Sequence, residues 1–445
     1  MLRVLTALTL STLVAIPQVT RANNETAPLS LSQAIQIARR ENPNARIALQ
    51  QIESAEALLR QSRAAHLPRF DLAVSYRWTD QPAVAFASIL NTESFSPTLN
   101  FNDVPSVDNL NLSGQMQLSL YAGGADQAKR RAAAFGVQAS KAQRQAVELG
   151  LTFEVIRAYI QVARSWHLLQ AAESAVASYR NNAKVADARH RGGTLLKTDL
   201  LDVGVRLARA EHDLIRATHG LKLARQALGL LLGGRAVSPG AIRELPQLSP
   251  PRSKTIDARP ELHASDARVK QLERVKRAQQ AGYLPQVQLV GQVDFDHGFR
   301  RESSGFSYLV GLVGRWNIFS GLATREQVRQ AAIGISQAAE QKRKQQLVLQ
   351  YQLARAQSAF EQAKPRLTLA QRAITQAEQS AALTRARFAQ GLAISSQLID
   401  SETALTAARV QLVEAQADQT LAIAMLYHST GSDPLAALKH SEEAK

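Results

Sequence analysis

Twelve residues, Leu110–Tyr121, alternate almost without a break: Leu110, Leu112, Met116, Leu118 and Leu120 are set against Asn111, Ser113, Gln115, Gln117 and Ser119. This is the two-residue period of a strand with one apolar and one polar face. Three further stretches keep the period: Phe70, Leu72, Val74, Tyr76 and Trp78; Val287, Leu289, Gly291, Val293 and Phe295; and Phe306, Tyr308, Val310, Leu312, Gly314, Trp316 and Ile318. Each runs about 9 to 12 residues, the length at which a tilted strand crosses a hydrocarbon layer. Trp78, Tyr121, Tyr308, Trp316 and Phe319 fall at or near the strand ends, where a membrane barrel carries interfacial aromatics. A small soluble sandwich also alternates, so the pattern alone leaves that reading open.

Four such strands put a hard limit on a membrane fold. An open strand edge cannot face lipid, because its backbone groups find no water there, and about eight strands make the smallest closed barrel. A spanning version of this chain must therefore oligomerise. Two copies supply eight strands and a filled interior; three supply twelve and room for a channel.

The N-terminus agrees with export. Met1–Ala22 opens on Arg3, continues through the apolar run from Val4 to Ile16 and closes on Thr20-Arg21-Ala22, the pattern of a cleaved secretory signal peptide. There is no cysteine, so neither disulfides nor a lipidated cysteine are expected. After the signal, no segment has the roughly 18 consecutive apolar residues of a spanning helix. The net charge of +16 is spread along alanine-rich stretches without an aromatic-studded basic patch. It therefore argues against nucleic acid and for acidic partners or lipid head groups.

A repeat organises the rest. Tyr121-Ala122-Gly123 answers Phe319-Ser320-Gly321, Gly193 answers Gly391, Leu200 answers Leu398 and Asp202 answers Asp400, all 198 residues apart. Upstream, Leu67-Pro68 answers Leu284-Pro285 at 217, the difference falling in an expected loop over 80–109 and a short one over 298–305. Residues 23–232 read as a first repeat of helix, two strands, long helix and helix; 233–260, with five prolines, as a linker; 261–430 as a second repeat; and 431–445 as a polar tail. The first helix is expected over 29–65, capped by Ser30 or Ser32 and disturbed at Pro43, and Pro365 is expected to kink the second long helix.

The helical stretches carry heptad seams of large residues alternating with alanine, which suits close antiparallel packing. One runs Leu151, Val155, Ala158, Val162, Ser165, Leu169, Ala172, Val176, and its copy runs Leu349, Leu353, Ala356, Phe360, Ala363, Leu367, Ala370, Ile374. A helix from about 125 to 189 would be about 100 Å long, too long for an ordinary compact domain.

The turns over 189–198 and 387–396 mark the far ends of the helical hairpins. Gly193 and Gly391 read as left-handed residues ending helices. Asp199, Asp202 and Asp400, with Gln397 beside them, could form anionic rings about a symmetry axis; as first-turn acids they could equally serve as caps that complement the helix dipole.

Together, the two helix-strand-strand-helix-turn-helix copies, the Leu-Pro strand starts, the YAGG and FSGL turns and the stretch RFAQGLAISSQLIDSETAL resemble the TolC family of outer-membrane efflux proteins. The resemblance implies an α+β membrane protein of a Gram-negative outer membrane. Three copies would form a 12-stranded transmembrane β-barrel continuous with a long α-helical barrel through the periplasm. Its implied partners are a periplasmic adaptor and an inner-membrane transporter of RND or ABC type, which open a closed helical tip to pass small molecules outward. In resembling proteins a tyrosine, an arginine and two aspartates hold or narrow that tip. Here the matching positions are Phe388, Ala393, Gln397 and Asp400, of which the last alone keeps its charge. The tip is expected either to be gated by other pairs, Asp199 with Arg385 or Lys197, or to be held shut less firmly, and Gly193 and Gly391 are the expected adaptor-docking turns.

Neither catalysis nor a cofactor is expected: HExxH, GxSxG and GxxxxGK[ST] are absent, and His212 and His219 read as solvated rather than as a metal pair. Two rival readings stand beside the efflux duct. One is the same fold as the exit of a type I protein secretion system; the other is an exported coiled-coil or adhesin, which leaves the four strands without a use.

Overall fold

The computed structural model describes residues 28–100, 103–435 and 438. The expected signal peptide and most of the tail lie outside them. Chain order is α1 (Leu31–Glu41), α2 (Pro43–Arg63), β1 (Arg69–Thr79), α3 (Pro82–Asn91), β2 (Val107–Ala122), α4 (Ala125–Arg191), α5 (Lys197–Leu231), α6 (Pro260–Gln280), β3 (Gln286–Gly298), β4 (Ser303–Arg315), α7 (Ala323–Ala389) and α8 (Ser395–Thr430).

The repeat is kept to the residue. α4 and α7 are 67 residues each, starting and ending 198 apart, and α2 and α6 are 21 each. Each long helix spans about 100 Å, and α7 runs unbroken through Pro365. The expected first helix is instead two. Ser30 caps α1 in a capping box with Gln33, and Asn42 ends it and caps α2 by accepting from the Asn44 amide at 2.8 Å, with Pro43 at the first helical position.

Two short helices lie end to end beside each long one. The Asn42 side chain donates to the Leu231 carbonyl at 2.9 Å, joining the start of α2 to the end of α5. In the other copy the buried Arg259 guanidinium, just before α6, donates to the His428 carbonyl near the end of α8 and forks onto Glu261 at 2.9 and 2.6 Å. The result is one layer four helices wide, with α4 between α2/α5 on one side and α6/α8 on the other, and α7 at the far edge. The expected seam positions are its buried contacts: Leu151, Val155, Val162, Leu349, Ala356 and Ala363 are all buried. The largest core lies where the short helices meet, built from Ile35, Val155, Ile156, Leu228 and Leu232.

The strands form one antiparallel sheet in the order β1-β2-β3-β4, so the two repeats join at β2 and β3. Register puts Leu72, Gly114, Val293 and Tyr308 in one row and Asp71, Gln115, Gln292 and Leu309 in the next, separating an apolar from a polar face. β2 is longer than the alternation suggested, and its extra residue, Leu120, is a bulge between Ser119 and Tyr121. The expected loop over 80–109 contains helix α3, whose Ala85 and Ile89 bury against Val107. The buried positions of α3 and its cap, Ala85, Ser88, Ile89 and Thr92, have helical spacing but span too few residues to stand out in the sequence.

Glycines fix both strand-to-helix turns. Gly123 and Gly124 have φ of +62° and +81°, and a Cβ on Gly123 would meet the Ala281 carbonyl at 2.7 Å. The second copy keeps Gly321 at +61° but places Leu322 at +67°.

Candidate functional site

Both far turns end in the same hydrogen-bonded motif. Thr194 N–H donates to the Arg189 carbonyl at 2.9 Å and Gly193 N–H to His190 at 3.0 Å; Leu392 donates to Arg387 at 2.8 Å and Gly391 to Phe388 at 3.1 Å. Gly193 and Gly391 sit at φ of +71° and +81°, the left-handed position such a cap needs.

The seams within each hairpin, α4 on α5 and α7 on α8, follow the heptads. The seam between hairpins, α4 on α8, adds polar rungs toward the far turns to the apolar contacts of Ala417 and Ala424 nearer its middle. Arg164 pairs with Glu414 at 2.8 Å, and the hydroxyls of Tyr179 and Thr403 meet at 3.2 Å. Asn182 donates to Glu402 at 3.2 Å. Glu402 is 2 % exposed, and its carboxylate is held from α7 by the Arg385 guanidinium, 2.7 Å away. Burial pushes the Tyr179 phenol above its ordinary pKa, partly offset by the bond to Thr403.

Beyond these rungs the tip closes on an apolar cluster of Ala186, Val203, Phe388, Ala393, Leu398 and Ile399. Arg189 braces it, stacking 4.8 Å from the Phe388 ring centre and donating to the carbonyls of Phe388 at 2.9 Å and Thr194 at 3.2 Å.

The residues expected here are brought together in a different pairing. Asp199 accepts from the Ser395 hydroxyl at 2.6 Å, so it ties α5 to the first turn of α8. Arg385, expected to face Asp199, faces Glu402, and Lys197 is exposed. Phe388 is 1 % exposed and belongs to the tip core. Asp202, Gln397 and Asp400 remain exposed. Among the expected interfacial aromatics, Trp78 ends β1 outwardly and Tyr121, Trp316 and Phe319 lie at the helix end of the sheet, all exposed. Tyr308 falls in mid-strand, because β4 begins at Ser303.

Glu402, Asn182, Tyr179, Arg189 and Ser395 were not among the expected residues. A signal for Glu402 was present: 198 residues earlier stands Gly204, so an acid replaces a glycine between the matching pairs Asp202/Asp400 and Leu207/Leu405.

The polar seam and the sheet can be set beside known proteins. A family model described as outer membrane efflux protein matches residues 34–234 and 252–432. Among solved structures, the chain is similar to the outer membrane protein VceC of Vibrio cholerae, with a TM-score of 0.77 at 19% identity over 90% of this chain and 96% of that one. It is similar to the CmeC outer membrane channel of Campylobacter jejuni, with a TM-score of 0.78 at 16% identity over 93% and 89%. It is likewise similar to the outer-membrane channel OprN, at 0.78 and 19% over 91% and 90%. No curated protein sequence matches the chain.

Proposed function

This chain belongs to the outer membrane efflux protein family, and from that membership we propose that three copies form an exit duct. The duct takes small molecules from an inner-membrane pump and a periplasmic adaptor and releases them outside the cell. One observation carries the reading. The apolar face of the sheet is bare, with Phe70, Leu72, Val74, Tyr308, Val310 and Leu312 each more than 60 % exposed, while β1 and β4 each pair on one side only. Lipid covers such a face and neighbouring copies complete such edges, β4 of one protomer pairing with β1 of the next. Three four-helix layers then continue the barrel as a tube of helices.

The seams favour one choice of moving parts. Heptad seams hold each hairpin together, reinforced by Arg180–Glu211 and Arg366–Asp418, whereas toward the far turns α4 and α8 meet through polar rungs whose groups water can satisfy when they part. Opening separates α8 from α4 at Tyr179–Thr403 and Asn182–Glu402. Exposed Asp202 and Asp400 then line the widened mouth as anionic rings that favour cationic cargo. The Gly193 and Gly391 turns, flanked by exposed Leu196, Leu392 and Ile394, offer the adaptor an apolar footing.

The test is gel migration of outer-membrane fractions, heated and unheated, with and without a cross-linker. A heat-dissociable trimer in the outer membrane is expected; a monomer in the soluble periplasm overturns the duct.

A further inference from the structure

The β1–β2 connection does not project away from the sheet. It folds back over the polar face, which the proposed barrel turns toward its lumen. Gly305 shows this most directly: in the register it stands with Ser75, Asn111 and Asp296 on that face. A Cβ added there would lie 1.9 Å from the Asn91 carbonyl at the end of α3. A Cβ added to Gly298, two pairs from Asp296 on the same side, would lie 3.9 Å from the Thr92 methyl. Asp296 is 2 % exposed although it is on the lumenal face, while Leu72, Val74 and Val310 on the opposite face are more than 60 % exposed.

The segment is built to hold this place. Ala85, Ser88, Ile89 and Thr92 are the buried face of α3 and its cap. Leu99 and Val104 pack beside them, Thr92 and Ser94 bond back to the last turn, and Phe86 meets Phe95 edge-on at 6.1 Å. The opposite side of α3, Ala83, Ala87 and Leu90, is exposed, with Leu90 at 47% and Phe95 at 45%.

We propose that α3 is the channel's outer constriction, where Leu90 and Phe95 from three protomers form an apolar ring that limits which cargo leaves. The inference rests on the trimeric barrel proposed above. Twelve strands about 4.8 Å apart and tilted about 40° enclose a cylinder about 24 Å across. Three parallel helices about 10 Å thick fill a circle of about 22 Å. Three copies of α3 against the wall therefore reach one another near the axis, and the residues meeting there are apolar. Such a ring passes apolar or amphipathic molecules that wet it and resists hydrated ions.

Because the chain has no cysteine, single-cysteine variants test this cleanly. With Leu90→Cys in intact outer membranes, a short bifunctional maleimide should produce covalent dimers and trimers; Phe70→Cys, on the lipid side, should give none. Gln117→Cys lies deeper on the lumenal face, and a bulky impermeant maleimide added outside whole cells should label it about tenfold faster when Leu90 and Phe95 are both serine. A heat-dissociable trimer in which Leu90→Cys stays uncrosslinked and Gln117→Cys labels at the same rate with or without the serines overturns the constriction and leaves the duct standing. Loss of the parent trimer overturns both.

Discussion

Arg189 stacks its guanidinium 4.8 Å from the centre of the Phe388 ring while donating to the carbonyl of the same residue at 2.9 Å. One side chain from the end of α4 thus fixes both ring and backbone at the end of α7. Phe388→Ala is expected to cost about 3 to 5 kcal/mol locally and Arg189→Ala about 1.5 to 3 kcal/mol. Both should raise single-channel open probability and leave the trimer's heat-dissociation unchanged, because the barrel is remote from the tip.

Arg385→Ala strands the buried Glu402 carboxylate. A fully buried broken pair costs about 3 to 5 kcal/mol, and the partial exposure of Arg385 brings this to about 2 to 3 kcal/mol. Glu402→Gln keeps a partner for Asn182 and should be milder. Asp199→Ala loses one hydroxyl bond, about 1 kcal/mol. Planar-bilayer recording should therefore rank Arg385→Ala as most open, then Glu402→Gln, then Asp199→Ala. Indistinguishable traces would remove the gating role of the polar seam.

Leu322 and Gly124 occupy equivalent turns, both left-handed. A side chain there costs about 1 kcal/mol, and nothing lies within 4 Å of where a Gly124 Cβ would stand. Leu322→Gly should stabilise and Gly124→Ala should destabilise by similar amounts, read as opposite shifts in heat-dissociation temperature. Gly123→Ala should be worse than either, since its methyl meets a carbonyl.

His428 is held neutral, its pKa lowered to about 4 chiefly by burial and then by the Arg259 charge, against the opposing pull of Glu261. The unfolded chain takes up a proton near 6.5 and the folded one does not. Stability is therefore full above about pH 6.5 and falls as pH drops toward 4, by up to about 1.4 kcal/mol per unit. Heat-dissociation at pH 7.5 and 5 should show the loss in the parent and a smaller one in His428→Asn.

Periodicity made the strands, long helices and far turns readable, because burial in this protein follows simple repeats: two residues for the sheet, seven for the helices. What stayed hidden depends on contacts between separate hairpins. Phe388 and Asp400 are close in sequence, yet one lies in the tip core and the other in solvent, a choice made by the packing of Phe388 with Ala186 of α4 and Val203 of α5. Arg385, by contrast, meets Glu402 across its own α7–α8 hairpin rather than Asp199 of the other hairpin, a choice set by the facing of two helices that the repeat alone does not fix. α3 escaped because ten residues in a stretch of Pro, Asn and Ser carry too little pattern to stand out from a loop.

The matched helices also restrict how this lineage can vary. α4 and α7 are equal at 67 residues, and each is shadowed by two shorter helices joined at Asn42–Leu231 or Arg259–His428. Adding a residue to one long helix rotates every later seam position away from its partner. Viable changes in the reach of the tube must therefore come as whole heptads inserted in both arms of both hairpins together. Such a step lengthens the tube by about 10 Å, so descendants can fit cell envelopes of different depth only in discrete increments.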